Sequence, residues 1–182
     1  MPKGTLFYII GPSGSGKDSL ITYARQAIAG ERAVLFAHRY ITRPMDAGGE
    51  NHIELSTAEF QKRRELGLFA LEWKSHQNFY GIGSEIVQWL DAGATVVVNG
   101  SREYLPTAAE RFPAMRVVLI DASPNVLRQR LTDRGRETTA EIEERIDRSL
   151  QIAPVAHPNL IVLTNDDSLA ESGARFVKML TK

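Results

Sequence analysis

Short apolar runs, separated by longer amphipathic stretches, recur along the chain. Five of these runs have the composition of buried parallel strands, because nearly all of their residues are apolar. They lie at residues 5–10, 34–37, 95–99, 116–121 and 159–164. The first run, TLFYII, stops at Gly11, as a buried strand that leads into a loop would.

The amphipathic stretches predict helices over residues 17–29, 84–92, 104–112, 124–134, 139–151 and 168–180. In the first of these, Leu20, Ala24 and Ile28 follow the spacing of one helical face. Ser123 followed by Pro124 is a typical helix start, in which the serine caps and the proline occupies the first turn. Because strands alternate with helices, the pattern predicts an α/β fold with a parallel sheet and helices on both faces.

Residues 38–83 break this alternation. They contain polar turns, aromatic residues and one short predicted helix at 57–65, which is preceded by a capping-box pattern at Ser56 and Glu59. We interpret this region as a substrate-binding flap inserted into one domain that spans residues 1–182.

Composition narrows the classes of function. A hydrophobic share of 43% is enough for a packed core. Lys plus Arg and Asp plus Glu both total 22, so no net charge recruits nucleic acid or an anionic membrane, and basic function must come from local clustering. The absence of cysteine excludes disulfides and thiolate metal sites. No apolar stretch has the length of a signal peptide or membrane span, so we expect a cytoplasmic protein.

The strongest motif is GPSGSGKDSL at residues 11–20, which fits the phosphate-binding pattern G-x-x-x-x-G-K-[ST] except at Asp18. It follows a predicted strand and opens a predicted helix, the context in which backbone N–H groups and the helix N-terminus hold phosphates. We therefore expect the loop to bind the phosphates of ATP. Its candidate binding residues are Gly11, Pro12, Ser13, Gly14, Ser15, Gly16, Lys17, Asp18 and Ser19.

Asp18 replaces the usual hydroxyl residue of this pattern. A carboxylate would be repelled by bare phosphates, but it is a hard oxygen ligand of the kind that Mg²⁺ prefers. We therefore expect Asp18 to hold Mg²⁺ directly or through water, with Ser19 as the substitute ligand. The alternative is a purely structural role, because an aspartate in the first turn also suits the helix dipole.

An arginine-rich segment follows the fourth predicted strand. Its arginines are Arg128, Arg130, Arg134, Arg136 and Arg145. We interpret residues of about 130–145 as a cationic lid, since phosphoryl transfer depends on positioning and on neutralising charge. The alternative is a solvated face in which the neighbouring glutamates pair with these arginines.

Several motifs recur in an order that resembles the guanylate-kinase-like branch of the P-loop nucleotide kinases. They are GPSGSGK, ITRP (41–44), GGENHIELSTAEF (48–60), FYG (79–81), RLTDRGRET (130–138) and TNDD (164–167). AHRYITR (37–43), YGIG (80–83) and VNGSR (98–102), together with Asp18, are more similar to the members that phosphorylate ribose 1,5-bisphosphate. The resemblance implies ATP- and Mg²⁺-dependent formation of 5-phosphoribosyl 1-diphosphate from that phosphorylated sugar. The alternatives are a guanylate or other nucleoside monophosphate kinase, or a non-catalytic interaction module.

On the donor side, the resemblance implies that Lys17 and the loop amides bind the ATP phosphates. It implies that Asn165 lines the adenine site. It also implies that three arginines surround the transferring phosphoryl group, namely Arg130, Arg134 and Arg145.

On the acceptor side, the resemblance implies that Arg43 and Tyr80 hold the acceptor's phosphate, although Tyr80 could also be a core residue. A second phosphate-binding tyrosine of the family falls at His52, which can still donate a hydrogen bond. Arg39 and Arg102 supply further cations around this site.

The residues that read guanine in the family are largely replaced. Its serine falls at Ile82, its second acceptor arginine falls near Met45 and Asp46, and two acidic residues fall at Asn99 and Ser101. The guanine-reading glutamate falls near Leu71 and Glu72. Such losses weaken discrimination for a base, and we expect Asn99 or Ser101 to meet ribose hydroxyls instead, with a turn as the alternative.

A phosphate acceptor needs no strong general base, which agrees with the lack of a Ser-His-Asp set or a carboxylate pair in the sequence. Asp121 ends a predicted strand, and we expect it to shape the turn that follows. His38 and His52 could contact phosphate or serve polar packing, whereas His76 and His157 are expected at the surface.

Overall fold

The structure of the protein is a computed structural model that describes residues 4–30, 33–44, 51–135, 137–151 and 154–181. In the helix that spans residues 139–151, side chains are described up to residue 147. In chain order its elements are β1 (Leu6–Ile10), α1 (Lys17–Ala27), β2 (Val34–Phe36), β3 (Arg39–Ile41), β4 (Ile53–Glu54), α2 (Thr57–Glu65), β5 (Phe69–Ser75), β6 (Asn78–Gly83), α3 (Glu85–Asp91), β7 (Thr95–Asn99), α4 (Leu105–Arg111), β8 (Arg116–Asp121), α5 (Pro124–Arg134), α6 (Thr139–Gln151), β9 (Leu160–Thr164) and α7 (Leu169–Leu180). The predicted strands and helices are confirmed, with small shifts at their ends.

The five predicted strands form one parallel sheet in the order β2-β7-β1-β8-β9. The central strand β1 is buried along its whole length, which explains its uninterrupted apolar sequence. Because the strands are parallel, the ends of β1, β7 and β8 meet at one edge of the sheet. This edge carries the glycine loop, Asn99 and Asp121.

Helices cover both faces of the sheet, as the alternating pattern predicts. Tyr8 packs in the same core as residues of α3 and α4, whereas its neighbours Phe7 and Ile9 pack with α1 and α7. Successive strand residues point to opposite faces, so β1 contributes to both cores. Of the described helices, none is long and apolar enough to cross a membrane.

Residues 38–83 contain a second sheet that the sequence analysis did not predict. Its four strands lie in the order β4-β3-β6-β5, and α2 coincides with the predicted short helix. The missed evidence is the alternation of buried Leu71 and Trp73 with more exposed Glu72 and Lys74 along β5. Leu71 and Trp73 join the core cluster that contains Tyr8 and α3. Met45 and Asp46, where the family's second acceptor arginine falls, lie outside the described residues.

The arginine-rich segment consists of α5, a turn and α6. Leu127 and Leu131 of α5 pack against Ile142 and Ile146 of α6 in a small core of their own. Gly135 ends α5 in the left-handed conformation, with φ of 63°. Arg136 lies outside the described residues.

Candidate active site

A cleft of about 700 Å³ opens at the edge of the central sheet where the parallel strands end. Ligands of open α/β sheets bind at this edge. The cleft brings together most of the predicted site residues, namely Gly11, Ser13, Gly14, Gly16, Lys17, Asp18, Ser19, Arg39, Arg43, Tyr80, Asn99, Ser101, Arg102, Arg130, Arg134 and Asn165. The predicted residues that are not part of its lining are Pro12, Ser15, His52 and Arg145.

The lining of the cleft is strongly cationic. Six of the described lining residues are permanently charged bases, namely Lys17, Arg39, Arg43, Arg102, Arg130 and Arg134. Asp18 is the one carboxylate among the described residues of this lining. The whole chain has a formal net charge of zero, so this excess of positive charge is local to the cleft. Such a site favours a polyanionic ligand.

The phosphate loop joins β1 to α1 and turns sharply at two glycines. Gly14 and Gly16 have φ of 86° and 88°, a region that other residues rarely adopt. Gly16 caps α1, so the helix N-terminus faces the loop. The Lys17 ammonium donates to the carbonyls of Gly11, at 2.7 Å, and Pro12, at 3.0 Å. The lysine is therefore held at the loop, where phosphates would bind.

Asn165 and Arg130 both contact the phosphate loop from outside. The Asn165 side-chain amide donates to the Ser15 carbonyl at 2.7 Å, and Arg130 Nη1 donates a longer bond of 3.4 Å to the same oxygen. A Cβ on Gly16 would lie 2.4 Å from Asn165 Nδ2, so a side chain at position 16 would displace Asn165. Asn165 is buried, and its Oδ1 has no hydrogen-bond partner among the described atoms.

Asp18 is held by a residue from the neighbouring strand. The side-chain amide of Asn99, at the end of β7, donates to Asp18 Oδ1 at 2.8 Å. Asn99 is only 7% exposed. The described residues contain no group of three or more histidines or carboxylates placed to hold a metal. Asp18 therefore offers a single carboxylate, which suits Mg²⁺ bound mainly by phosphates and water.

Asp121, at the end of β8, does not line the cleft. Its Oδ1 accepts a hydrogen bond from the Ala122 N–H at 3.0 Å, which agrees with the predicted role in shaping the turn. Ser19 is exposed and lines the cleft next to Asp18.

An aromatic column positions Arg39 in the lining of the cleft. Tyr104 stacks on Trp73 with ring centroids 5.4 Å apart, and Trp73 stacks on Tyr80 at 5.5 Å. The Arg39 guanidinium lies over the Tyr80 ring, 5.2 Å from its centroid. Trp73 and Tyr80 are direct neighbours on β5 and β6, so the small sheet sets their spacing.

His38 and His52 each have a polar partner within the flap. His52 is 3% exposed, and its Nε2 shares a 3.0 Å hydrogen bond with the Arg43 carbonyl. His38 Nε2 lies 3.2 Å from the Asn51 amide nitrogen, and its pKa is lowered mainly by burial and also by Arg25. His52 therefore supports the backbone of Arg43, and neither histidine lines the cleft.

Tyr8 fixes the loop that follows β7. Its hydroxyl donates to the Ser101 carbonyl at 3.1 Å and accepts from the Ser101 N–H at 2.9 Å. The ring occupies the space where a side chain on Gly100 would lie, since a Cβ there would be 2.2 Å from Tyr8 Cζ. The neighbouring Arg102 is thereby attached to a well-defined backbone.

Some cleft residues were missed by the sequence analysis, namely Trp73, Ser75, His76, Gly100 and Leu169. His76, which was expected at the surface, is exposed but lies at the cleft, in the turn between β5 and β6 with φ of 53°. The alternating pattern of β5 could have identified Trp73. No local pattern marks the others.

Two arginines of the arginine-rich segment form ion pairs with glutamates of the same segment. Arg128 pairs with Glu143, with 2.8 Å between Arg128 Nη2 and Glu143 Oε2. Arg145 pairs with Glu137. For Arg128, the structure thus agrees with the alternative of a paired charged face.

Ile82 and Leu71 lie at or next to positions where the resemblance places guanine-reading residues of the family. Ile82 is fully buried, and Leu71 pairs with it across β5 and β6. Neither lines the cleft. Glu72 accepts a hydrogen bond from Arg64 Nε at 2.8 Å.

Curated proteins resemble this chain over nearly its full length. No protein-family model matches the chain. The chain is 52% identical over 183 residues to ribose 1,5-bisphosphate phosphokinase PhnN of Thiobacillus denitrificans, covering 100% of this chain and 95% of that protein. It is 55% identical to the protein of the same name from Desulfomicrobium baculatum, covering 92% of this chain and 89% of that protein.

Among solved structures, guanylate kinase from Anaplasma phagocytophilum has the same fold. The TM-score is 0.67 at 16% identity, over 99% of this chain and 86% of the other. This likeness confirms the predicted α/β fold of the guanylate-kinase-like P-loop kinases. Since the identity to curated relatives extends over nearly the full length of both chains, this chain belongs to the ribose 1,5-bisphosphate phosphokinase PhnN family.

Proposed function

We propose that this protein transfers the terminal phosphoryl group of ATP to the 1-phosphate of ribose 1,5-bisphosphate, giving 5-phosphoribosyl 1-diphosphate and ADP. The observation that carries the proposal is the composition of the cleft, in which six bases and one carboxylate surround a space that begins at a phosphate loop. Two polyanions that must meet end to end need such a surplus of cations. The names of the family's curated members support the choice of acceptor.

On the donor side, the loop amides and Lys17 bind the ATP phosphates. The carbonyls that now accept from Lys17 are weaker partners than a phosphate oxygen, so the lysine can exchange them for ATP. Asn165 meets the adenine. Its buried Oδ1, which has no described partner, is an acceptor that the exocyclic amine of adenine would satisfy.

Asp18 is the protein ligand of Mg²⁺ in this proposal, directly or through water, and Ser19 is its substitute. Held there, Mg²⁺ would supply positive charge that offsets the negative charge of the phosphates. A carboxylate at this position is otherwise unfavourable, because it would face the phosphates without a cation between them.

The transfer step needs alignment more than acid–base catalysis. An oxygen of the 1-phosphate forms a bond to the terminal phosphorus of ATP, and the bond from that phosphorus to the bridging oxygen breaks as ADP leaves. The attacking oxygen is already anionic, so no base must remove a proton. Arg130 and Arg134 stabilise the charge on the transferring group. Arg145 joins them once its carboxylate partner, Glu137, is exchanged for phosphate.

On the acceptor side, Arg39, Arg43 and Arg102 bind the two phosphates of the sugar, and Tyr80 donates a hydrogen bond to one of them. His52 supports this set through the Arg43 carbonyl. The ribose hydroxyls meet the segment at Asn99 and Ser101. A purine would find no hydroxyl where the family's guanine-reading serine falls, because Ile82 is buried there outside the cleft lining, and unpaired polar groups of a base would weaken its binding.

These roles assign a function to each part of the chain. Residues 1–182 form a single kinase domain, residues of about 38–83 form the acceptor-binding flap, and residues of about 130–145 form a lid over the phosphates. The shared core of the flap and the α3 face of the sheet supports one domain.

The direct test is product identification. Purified protein is incubated with ATP, Mg²⁺ and ribose 1,5-bisphosphate, and phosphorus NMR follows the appearance of the diphosphate. We expect stoichiometric 5-phosphoribosyl 1-diphosphate and ADP, and loss of both on Lys17→Ala. Rapid formation of GDP from GMP, with no diphosphate formed from the sugar, would refute the proposal and support a guanylate kinase. Unaltered ATP binding in Lys17→Ala would contradict the assignment of the loop.

A further inference from the structure

Asn99 and Asp18 connect two parts of the site that are 81 residues apart in sequence. β7 lies next to β1 in the central sheet, so the end of β7 reaches the start of α1, where Asp18 lies. The bond from Asn99 Nδ2 to Asp18 Oδ1 is 2.8 Å long, and the asparagine is almost completely buried. A buried donor with this geometry fixes the rotation of the carboxylate that accepts from it.

The chemistry of the pair is the reverse of the usual arrangement in P-loop proteins. There, a hydroxyl residue of the loop and an aspartate from a neighbouring strand share the magnesium ion. Here the loop position holds the carboxylate, Asp18, and the strand end holds a neutral amide, Asn99. Both arrangements place one carboxylate at the metal, but in this protein it belongs to the loop residue and not to the strand residue.

This exchange accounts for both residues at once. Carboxylates at both positions would repel each other across a hydrogen-bond distance, and neutral groups at both would leave the cation without a charged ligand. An amide at position 99 instead donates to the carboxylate. A carboxylate has about four lone-pair sites, so one bond from an amide is compatible with metal coordination by the same group.

We propose that Asn99 is a positioning residue for Asp18, and that the two form an exchanged pair which holds the magnesium ion of bound ATP from the loop side. The inference rests on the proposed binding of Mg²⁺-ATP, but not on the identity of the acceptor. Removal of a group that orients a metal ligand lowers metal affinity by about 10- to 100-fold.

The test measures metal binding without turnover. The affinity for Mn²⁺, used in place of Mg²⁺, is measured by electron paramagnetic resonance in the presence of a non-hydrolysable ATP analogue. Calorimetry gives the affinity for the same analogue without metal. For Asn99→Ala we expect Mn²⁺ affinity to fall about 10- to 100-fold, while metal-free analogue affinity changes by less than about threefold. Thr22→Ala is the matched control. Thr22 lies one turn further along α1 than Asp18 and lines a small cavity that Asp18 and Asn99 also line.

Variants that remove the carboxylate from position 18, or move it to position 99, make the test more specific. Asp18→Ser removes the carboxylate, so Mn²⁺ affinity should fall at least as far as in Asn99→Ala. The double variant Asp18→Ser with Asn99→Asp restores the usual arrangement, and its Mn²⁺ affinity should exceed that of Asp18→Ser by about tenfold or more. Thermal unfolding of each variant verifies that it is folded.

The possible failures are distinguishable. Unchanged Mn²⁺ affinity in Asn99→Ala, or a folded double variant no better than Asp18→Ser, would overturn the exchanged pair while leaving the proposed function intact. Equal losses of Mn²⁺ and metal-free analogue affinity would assign Asn99 to the loop structure and also overturn the inference. If the unaltered protein bound no ATP analogue, the proposed function would fall, and this inference with it.

Discussion

Removal of a single oxygen atom by Tyr8→Phe tests how the central sheet supports the acceptor side of the cleft. The Tyr8 hydroxyl bonds to both the N–H and the carbonyl of Ser101, and its ring is fully buried against Gly100. Phenylalanine keeps the ring and its packing but leaves both backbone groups of Ser101 without this partner. The variant therefore isolates the two hydrogen bonds.

The magnitude follows from the burial of the two groups. Each polar group left unsatisfied costs about 1–3 kcal/mol when it is fully buried. Ser101 itself is half-buried, so water can compensate in part. We expect Tyr8→Phe to lower the free energy of unfolding by about 2 kcal/mol. It should also raise the KM for the acceptor more than the KM for ATP, because Ser101 and Arg102 belong to the proposed acceptor-binding set.

Urea unfolding at neutral pH measures the first effect. The midpoint should fall without a change in slope, since the surface exposed on unfolding is the same. Tyr23→Phe is the control, because Tyr23 is a half-buried tyrosine of α1, away from the Ser101 loop, and should change stability by less than about 0.5 kcal/mol. A loss of stability below about 0.5 kcal/mol in Tyr8→Phe would refute the reasoning. An equal rise of the KM for the acceptor and the KM for ATP would also refute it.

The pH dependence gives an independent check. Burial raises the pKa of Tyr8 well above its ordinary value, against a smaller opposing effect of the Ser101 hydrogen bond. Above pH of about 10, the unfolded chain releases this proton while the folded chain keeps it. The stabilising contribution is therefore complete below about pH 10 and is lost as pH rises towards the folded pKa, by about 1.4 kcal/mol per pH unit. The stability difference between the unaltered protein and Tyr8→Phe should shrink accordingly, and a constant difference from pH 9 to 11 would contradict this.

Three further predictions concern the cleft. Arg130→Ala should lower kcat about 10²- to 10³-fold, whereas Arg128→Ala, which removes an exposed ion pair, should stay within about threefold; equal effects in steady-state assays would contradict separate roles. Gly16→Ala should weaken ATP binding at least about tenfold by calorimetry, because its Cβ would meet Asn165 at 2.4 Å in a left-handed backbone; wild-type affinity would contradict the close contact. Acceptor binding should change Trp fluorescence, and Trp73→Phe should abolish that change, because Trp73 lines the cleft beside Tyr80; a response that persists in the variant would remove Trp73 from the acceptor site.

The sequence was sufficient to predict the central sheet and its helices. Its inner strands β1, β7 and β8 are largely buried on both faces, so their apolar runs are continuous and easily recognised. The flap sheet escaped prediction because its strands are only partly buried and have no continuous apolar run, and because β4 has only two residues. The phosphate loop was also predicted, since its glycines and Lys17 are contiguous in the chain.

The pairing within the site depended on information that the sequence does not carry locally. The bond between Asp18 and Asn99 requires β7 to lie beside β1, and the order of strands is a property of the whole sheet. The burial of His52 under the Arg43 backbone and the pairing of Arg145 with Glu137 likewise depend on neighbours set by folding. His52 and Arg145 were candidates for phosphate contact because of their chemistry, but neither is part of the cleft lining in the structure.

The central claim is that the cleft joins two polyanions and has no site for a purine acceptor. It is tested most directly by the ratio of kcat/KM for ribose 1,5-bisphosphate to kcat/KM for GMP, measured with the same protein at saturating Mg²⁺-ATP. A site in which most of the family's guanine-reading residues are replaced should favour the sugar bisphosphate by about 10⁴-fold or more. A ratio near or below one would contradict the account.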